Sequence, residues 1–134
     1  MVQLDYTVAS NKSISEAIKS LEAALAQRNF GILWHLHVND KLREKGFDLE
    51  PDFHILEVCN PAKAKGALEM DLKIGYLLPC KIVVYQDHRD GNQTKIGLLR
   101  PEALVGILND ERFAQLAHKV EQELRAAVNL AAQD

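Results

Sequence analysis

The sequence is poor in cysteine, and it lacks both a long apolar run and an N-terminal leader pattern. Only two of its 134 residues are cysteines, Cys59 and Cys80, which excludes a disulfide framework and favours a reducing, cytoplasmic location. No stretch approaches the roughly 20 apolar residues that a membrane-spanning helix needs. Residues 1–10 alternate polar and apolar side chains, unlike a signal peptide. We therefore expect a cytoplasmic protein with no membrane partner.

The chain also lacks an excess of basic charge. Its 16 Lys and Arg against 19 Asp and Glu give a formal net charge of −3. Proteins that bind nucleic acids draw much of their affinity from phosphate neutralisation and normally carry a basic patch, so we expect no nucleic-acid partner. The length fits one folded domain. The domain is expected to span residues 1–134, with a core at about 3–128 and a frayed tail from Leu130.

Apolar periodicity predicts strands interleaved with helices, in the order β-α-β-α-β-α-β-β-α-α. Strands are expected near residues 2–8, 32–38, 53–59, 75–87 and 94–99. Helices are expected near residues 14–28, 40–45, 61–70, 101–109 and from 110 onward. This order predicts an α/β, α+β-like layered domain whose sheet is mixed, with one hairpin near the C-terminus and two C-terminal helices. Because helices can cover only part of such a sheet, we also expect a homodimer.

The segment Cys59-Asn60-Pro61 joins a strand to a helix, with Asn60 as N-cap and Pro61 at the first helical position. A helix N-terminus carries unpaired amides and partial positive charge, which can hold an anionic ligand or lower the pKa of a thiol. Alternatively, Cys59 is a small buried residue that closes the strand.

Cys80 follows Pro79 at the start of another apolar strand. If the strands of Cys59 and Cys80 are parallel, the two thiols lie roughly 20 Å apart, whereas antiparallel strands bring them to one edge. Only the antiparallel arrangement allows a redox pair, and the chain has no Cys-x-x-Cys spacing.

His35 and His37 lie two residues apart on a predicted strand and therefore point to one face. Neutral imidazole binds zinc, copper and iron. Together with Cys59 or His54, these side chains could form a mixed metal site; otherwise they belong to a polar outer face.

The common enzyme signatures are absent from the sequence. It contains no phosphate-binding glycine loop, no nucleophile elbow and no zinc-finger spacing. No cofactor is predicted, and the sequence leaves open whether the protein is an enzyme.

Two short motifs carry a resemblance to a known family. The first is Cys59-Asn60-Pro61 followed by Ala64, and the second is Leu77-Leu78-Pro79-Cys80, which follows Gly75 and leads into Val83 and Val84. With this pattern the chain resembles the domain of unknown function 302 family over about residues 3–128. The resemblance implies a small α/β fold, dimerisation and a bacterial or archaeal cytoplasmic setting, with no established activity.

The chain departs from the family pattern at two places. His35 and His37 stand where acidic residues are expected on the second strand, and Arg100-Pro101 replaces an expected Asp-Pro. A site built on those acidic positions is therefore not expected in this protein.

Three functional hypotheses follow. The first is a dimeric protein that binds a small ligand or a partner near Cys59, Asn60 and Pro61. The second is a thiol- or sulfur-handling enzyme that uses Cys59 with Cys80. The third is a metal-binding protein that uses His35 and His37.

Overall fold

The computed structural model describes residues 3–134; Val2, predicted to begin the first strand, lies outside the described residues. Five strands and five α-helices follow the predicted order. The strands are β1 (Asp5–Ser10), β2 (Gly31–His37), β3 (Phe53–Cys59), β4 (Cys80–Asp87) and β5 (Gln93–Leu99). The α-helices are α1 (Ile14–Ala26), α2 (Val38–Glu44), α3 (Pro61–Met70), α4 (Pro101–Leu108) and α5 (Glu111–Ala132). A 3₁₀ helix, Leu72–Leu77, follows α3 and occupies part of the segment in which the fourth strand was expected to begin.

The strands form one sheet in the order β1-β5-β4-β3-β2. The predicted α+β class and element order are confirmed. The sheet is not mixed, however, because every strand pair among residues 3–134 is antiparallel. A parallel pair needs a crossover that returns the chain along the full length of a strand. Instead, α3 and the 3₁₀ helix pack together near the end of β3, and the chain enters β4 from that same end.

Helices α1 and α5 cover one face of the sheet. A capping box begins α1: Ser13 Oγ accepts from the amide of Glu16 at 3.2 Å, and Glu16 Oε1 accepts from the amide of Ser13 at 3.1 Å. The main core is formed by side chains that these helices and the sheet bury completely. They include Leu21, Leu25, Leu56, Ile82, Ile96 and Leu124.

A second apolar cluster lies beyond the edge of the main core, where α3, the 3₁₀ helix, α4 and α5 meet. Its buried members are Ala67, Ile74, Val105, Phe113 and Ala117. This cluster provides one wall of the candidate site described below.

The C-terminal tail is ordered helix, contrary to the frayed tail expected from Leu130. Helix α5 continues to Ala132, with Ala131 only 1% exposed. Ser10 Oγ also donates to the carbonyl oxygen of Ala132 at 2.9 Å. The tail is helical because Ala127, Val128 and Ala131 extend the buried face of α5 against the main core. Within residues 3–134, no helix combines the length and hydropathy of a membrane span.

Arg100 is bound by the carboxylate of a buried glutamate. Glu121 on α5 is fully buried and accepts from Arg100 Nε at 2.9 Å and from the amide of Glu102 at 3.1 Å. Arg125 Nε donates to the same carboxylate at 3.0 Å. Burial acts to raise the pKa of Glu121, but the hydrogen bonds from Arg100, Glu102 and Arg125 lower it overall. Arg100 therefore anchors the start of α4 to α5.

Candidate functional site

A pocket of about 80 Å³ lies between the two apolar clusters, next to the start of α3. Its wall on the sheet side includes Val58, Cys59 and Cys80. The opposite wall includes apolar side chains from the helices. Among them are Ala64 and Ala67 of α3, Leu104 and Val105 of α4, and Phe113 and Ala117 of α5. The residues Cys59 and Asn60, chosen from the sequence, thus both line a real cavity.

The start of α3 has the predicted capping geometry. Asn60 is buried, and its Oδ1 accepts from the amide of Lys63 at 3.2 Å. Pro61 occupies the first turn of the helix. Because proline lacks an amide hydrogen and fixes φ, it suits the position at which a helix has no internal acceptor for that hydrogen. These residues hold the helix N-terminus in place beside the pocket.

The antiparallel pairing of β3 with β4 brings the two cysteines to the same end of the sheet. Val58 pairs with Cys80, so Cys59 lies one residue beyond that pair. Both cysteines are free and half-buried. The register therefore selects the second of the two arrangements considered from the sequence, in which the thiols are neighbours.

Neither thiol is activated. Burial raises the pKa of Cys59 above its usual value, and burial together with the nearby Cys59 raises the pKa of Cys80 to about 11. The position of Cys59 before a helix predicts a lowered pKa, because a helix N-terminus stabilises a thiolate. Here the loss of solvent outweighs that effect, since an anion is costly to form in an apolar pocket.

The lining of the pocket offers little for acid–base catalysis. Within the described residues, the ionisable residues that line it are Cys59, Cys80, Lys63 and Lys81, with no carboxylate and no imidazole among them. Lys63 is also paired with Glu123, whose Oε2 lies 3.3 Å from Nζ. The pocket can therefore hold an apolar group and place a positive charge near it, but it contains no arranged acid and base.

A second cluster of titratable side chains lies at the other end of β3. His37 on β2 pairs with His54 on β3, and their rings stack at 4.2 Å. Asp52 Oδ1 lies 2.7 Å from Nε2 of His37 and 3.1 Å from Nε2 of His54. Nε2 of His35 lies 2.8 Å from Nδ1 of His54. The structure thus joins the two histidines singled out in the sequence to His54 and to Asp52.

Cys59 is not part of this histidine cluster. It ends β3, whereas His54 is near the start of the strand, about 17 Å away at roughly 3.4 Å per residue. The mixed site in which a cysteine joins His35 and His37 is therefore wrong, because the two residue groups occupy opposite ends of the sheet.

Hydrogen bonds and burial give the histidines of this cluster different proton affinities. Burial has the largest effect and lowers the pKa of His54; Asp52 acts to raise it, but His37 and His35 add to the effect of burial and the pKa is lowered overall. Burial also acts to lower the pKa of His37, but Asp40 and Asp52 raise it overall. His54 is consequently favoured in its neutral form.

Asp52 and Asp40 were missed from the sequence. Asp52 lies in the connection before β3, and Asp40 in the first turn of α2. Recognising β2 and β3 as an antiparallel pair would have placed His37 opposite His54, with Asp52 close by. The residues His88, His118, Asp71, Asp87 and Glu57 lie in neither the pocket lining nor the three-residue cluster of His37, Asp52 and His54.

An antiparallel sheet covered by helices on one face, with an apolar pocket at one end, defines a small α+β protein. A model of the family described as "Domain of unknown function DUF302" matches residues 6–131, and the chain belongs to this family. The chain is similar to a solved structure described as "Crystal structure of uncharacterized conserved protein DUF302 from Bacillus stearothermophilus". The two are 42% identical with a TM-score of 0.91, over 97% of this chain and 99% of that chain. No curated protein matches the chain.

Proposed function

We propose that this protein binds a small, largely apolar molecule in the pocket beside Cys59, Asn60 and Pro61. The observation that carries the proposal is the pocket itself, which separates two buried clusters and is lined almost wholly by apolar side chains. Transfer of apolar ligand surface from water into such a pocket is favourable by about 25 cal/mol per Å². A volume of about 80 Å³ is about half that of a cavity that holds benzene, and it restricts the ligand to a short chain.

Positive charge near the pocket favours a ligand with an anionic end. Lys63 places a cationic side chain on the lining, and the first turn of α3 adds the partial positive charge of a helix N-terminus. The ligand class that fits both features is a short carboxylate or a similar amphipathic anion, with its apolar part against Ala64 and Phe113.

The enzyme alternative receives less support from the same site. Thiol chemistry at Cys59 needs a thiolate, and the raised pKa values of both cysteines oppose its formation. We therefore treat Cys59 and Cys80 as part of the apolar wall of the binding pocket.

Titration with hexanoate tests the proposal. Amide chemical shifts of the ¹⁵N-labelled protein should change in a saturable way around Cys59, Asn60 and Ala64, and hexanol should bind more weakly because it lacks the charge. Ala64→Phe should abolish these changes, because the ring would occupy the pocket. Ala62→Phe is the matched control, since Ala62 is an exposed residue of α3 that does not line the pocket. Chemical-shift changes that persist unaltered in Ala64→Phe would contradict the proposal.

We further propose that the protein forms a homodimer through the face of the sheet opposite α1 and α5. Strand register places Ile55 opposite Val83, and Phe53 opposite Tyr85, with the two rings stacked at 5.2 Å. These four side chains are only partly buried, and Trp34 on the edge strand is 50% exposed.

The charges on this face fit a second copy of the chain. Glu57 and Lys81 stand opposite each other at one end of it. A two-fold interface places the same patch on both subunits, so the patch must be complementary to itself. An apolar centre beside one acidic and one basic residue meets this condition.

A further inference from the structure

We propose that Nε2 of His37, Nε2 of His54 and Oδ1 of Asp52 together bind a divalent transition-metal ion, with His35 and Asp40 orienting the two imidazoles. This site is separate from the apolar pocket and does not depend on the ligand proposed for it. Two nitrogens and one carboxylate oxygen are donors that zinc and related first-row metals prefer.

The spacing of the donor atoms supports the site. One donor atom from each of His37, Asp52 and His54 lies within 4.8 Å of the other two. Oδ1 of Asp52 is 2.7 Å from His37 Nε2 and 3.1 Å from His54 Nε2. Neighbouring ligands around a tetrahedral zinc ion are about 3.3 Å apart, given metal–ligand bonds of about 2.0–2.1 Å. A small outward movement of these side chains is therefore enough to admit the ion.

The second nitrogen of each imidazole is already held by a neighbour. Nδ1 of His37 lies 3.0 Å from Oδ2 of Asp40. Because a carboxylate only accepts hydrogen bonds, this Nδ1 carries a proton. Nε2 faces Asp52 at 2.7 Å and carries a second proton, which a metal ion must displace before it binds there. Histidine ligands in metal sites typically donate their other N–H to such a partner, which fixes the tautomer and the ring direction.

His35 plays the same part for His54. Its Nε2 lies 2.8 Å from Nδ1 of His54. When Nε2 of His54 binds a metal, its Nδ1 holds the proton and donates to Nε2 of His35. The proton of neutral His54 thus moves from Nε2 to Nδ1 and stays on the ring, whereas the ion displaces to solvent the proton that Nε2 of His37 shares with Asp52.

The site is accessible and incompletely coordinated. The side chains of His37 and Asp52 are 33% and 38% exposed, whereas that of His54 is 12% exposed. Three protein ligands leave at least one coordination position for water or another small molecule, as in catalytic rather than structural zinc sites.

Titration of untagged, metal-free protein with Co²⁺ tests the site. We expect one ion per chain and visible absorption bands of a nitrogen- and oxygen-coordinated ion, and Zn²⁺ should displace the Co²⁺. Asp52→Asn and His54→Ala should each weaken binding at least 100-fold. His118→Ala is the matched control, because His118 contacts Glu102 on the surface and lies outside the cluster. Asp52 is partly exposed, so Asp52→Asn keeps the test valid if His54→Ala fails to fold.

The orienting role of His35 needs a separate measurement. His35→Leu should weaken Co²⁺ binding about 10–100-fold while one ion per chain still binds at saturation. His35→Gln should restore much of the affinity, because its side-chain oxygen can accept from Nδ1 of His54. If His35 has a purely structural role, both variants should be less stable and should bind Co²⁺ with the same affinity.

Three results would overturn the metal site. They are the absence of saturable Co²⁺ and Zn²⁺ binding, binding that Asp52→Asn and His54→Ala leave unchanged, and a sulfur-to-cobalt charge-transfer band that disappears in Cys59→Ala. The last result would place the ion at the thiols, at the other end of the sheet.

Discussion

Val58 on β3 pairs directly with Cys80 on β4, and this pair leaves Cys59 as the next residue, at the point where α3 begins. The two cysteines therefore share one end of the sheet and line the same pocket. Burial raises the pKa of both, for Cys80 to about 11. The pair is consequently a poor nucleophile at neutral pH, which leads to the first prediction.

Both thiols should react slowly with iodoacetamide near neutral pH, and Cys80 should be the slower. At pH 8, a thiol with a pKa of about 11 is roughly 0.1% ionised, whereas an ordinary cysteine of pKa about 8.5 is roughly a quarter ionised. Mass spectrometry of Cys59→Ser and Cys80→Ser against time will give the two rates, which should rise with pH up to about 10 or 11. Rapid labelling of Cys59 at pH 7 would instead support the sulfur-handling enzyme.

Removal of the Glu121 carboxylate should strongly destabilise the fold. Glu121 is fully buried and binds Arg100 and Arg125, so Glu121→Ala leaves partly buried guanidinium groups without their partner. Breaking a buried ion pair in this way costs about 3–5 kcal/mol. Glu123→Ala on the same helix is the control and should cost less than about 1 kcal/mol, because the side chains of Glu123 and Lys63 are about one-third exposed. Urea unfolding measures both; equal effects would contradict this account.

The same carboxylate should contribute to acid unfolding. The pKa of Glu121 in the folded protein lies below its usual value of 4.5 because hydrogen bonds from Arg100, Glu102 and Arg125 outweigh the effect of burial. Its contribution to stability is therefore present above about pH 4.5 and is lost as the pH falls through the lower, folded pKa. In urea unfolding at pH 6 and pH 3.5, the wild-type protein should lose more stability than Glu121→Gln. Equal losses of stability in the two proteins would show that other carboxylates dominate the acid unfolding.

Features that depend on a few neighbouring residues could be predicted from the sequence, whereas features that depend on contacts between distant residues could not. The elements and the cap of α3 were predictable because apolar periodicity and the order Asn60-Pro61 act within a few residues. Strand direction was not, because it depends on where α3 and the 3₁₀ helix pack. That one uncertainty left two arrangements open for Cys59 and Cys80, and it hid the pairing of His37 with His54.

Charged residues that act across the fold were the hardest to identify. Glu121 stabilises Arg100 across 21 positions of sequence, and Asp52 meets His37 across 15. Neither carboxylate belongs to a motif, and each looks like an ordinary acidic residue of a helix or a loop. Only the packing of α5 against α4, or of β3 against β2, gives these residues a partner.

Loss of the Asn60 side chain should weaken the start of α3. Asn60 Oδ1 accepts from the amide of Lys63 at 3.2 Å, and Asn60→Ala leaves that amide without the acceptor. The expected cost is about 1 kcal/mol, and Asn60→Asp should retain most of the stability because aspartate is an equally good N-cap. Urea unfolding measures the change in stability. Asn60→Ala should also weaken hexanoate binding, because the helix N-terminus beside the pocket becomes less ordered. An unchanged affinity for hexanoate would show that the ligand does not depend on this N-cap.

A charge placed at the centre of the outer sheet face should dissociate the proposed dimer. Ile55 pairs with Val83 at the middle of that face, and a glutamate there would have to lose its water in the interface without a partner of opposite charge. Ile55→Glu should therefore shift the mass measured by sedimentation equilibrium from twice the chain mass of 15.0 kDa towards the mass of one chain. Leu72→Glu is the matched control, because Leu72 is 80% exposed on the 3₁₀ helix, and that variant should remain dimeric. Circular dichroism will establish that Ile55→Glu is folded; if it is not, Trp34→Glu on the exposed edge strand serves in its place. A wild-type protein that is monomeric at 100 μM would contradict the dimer directly.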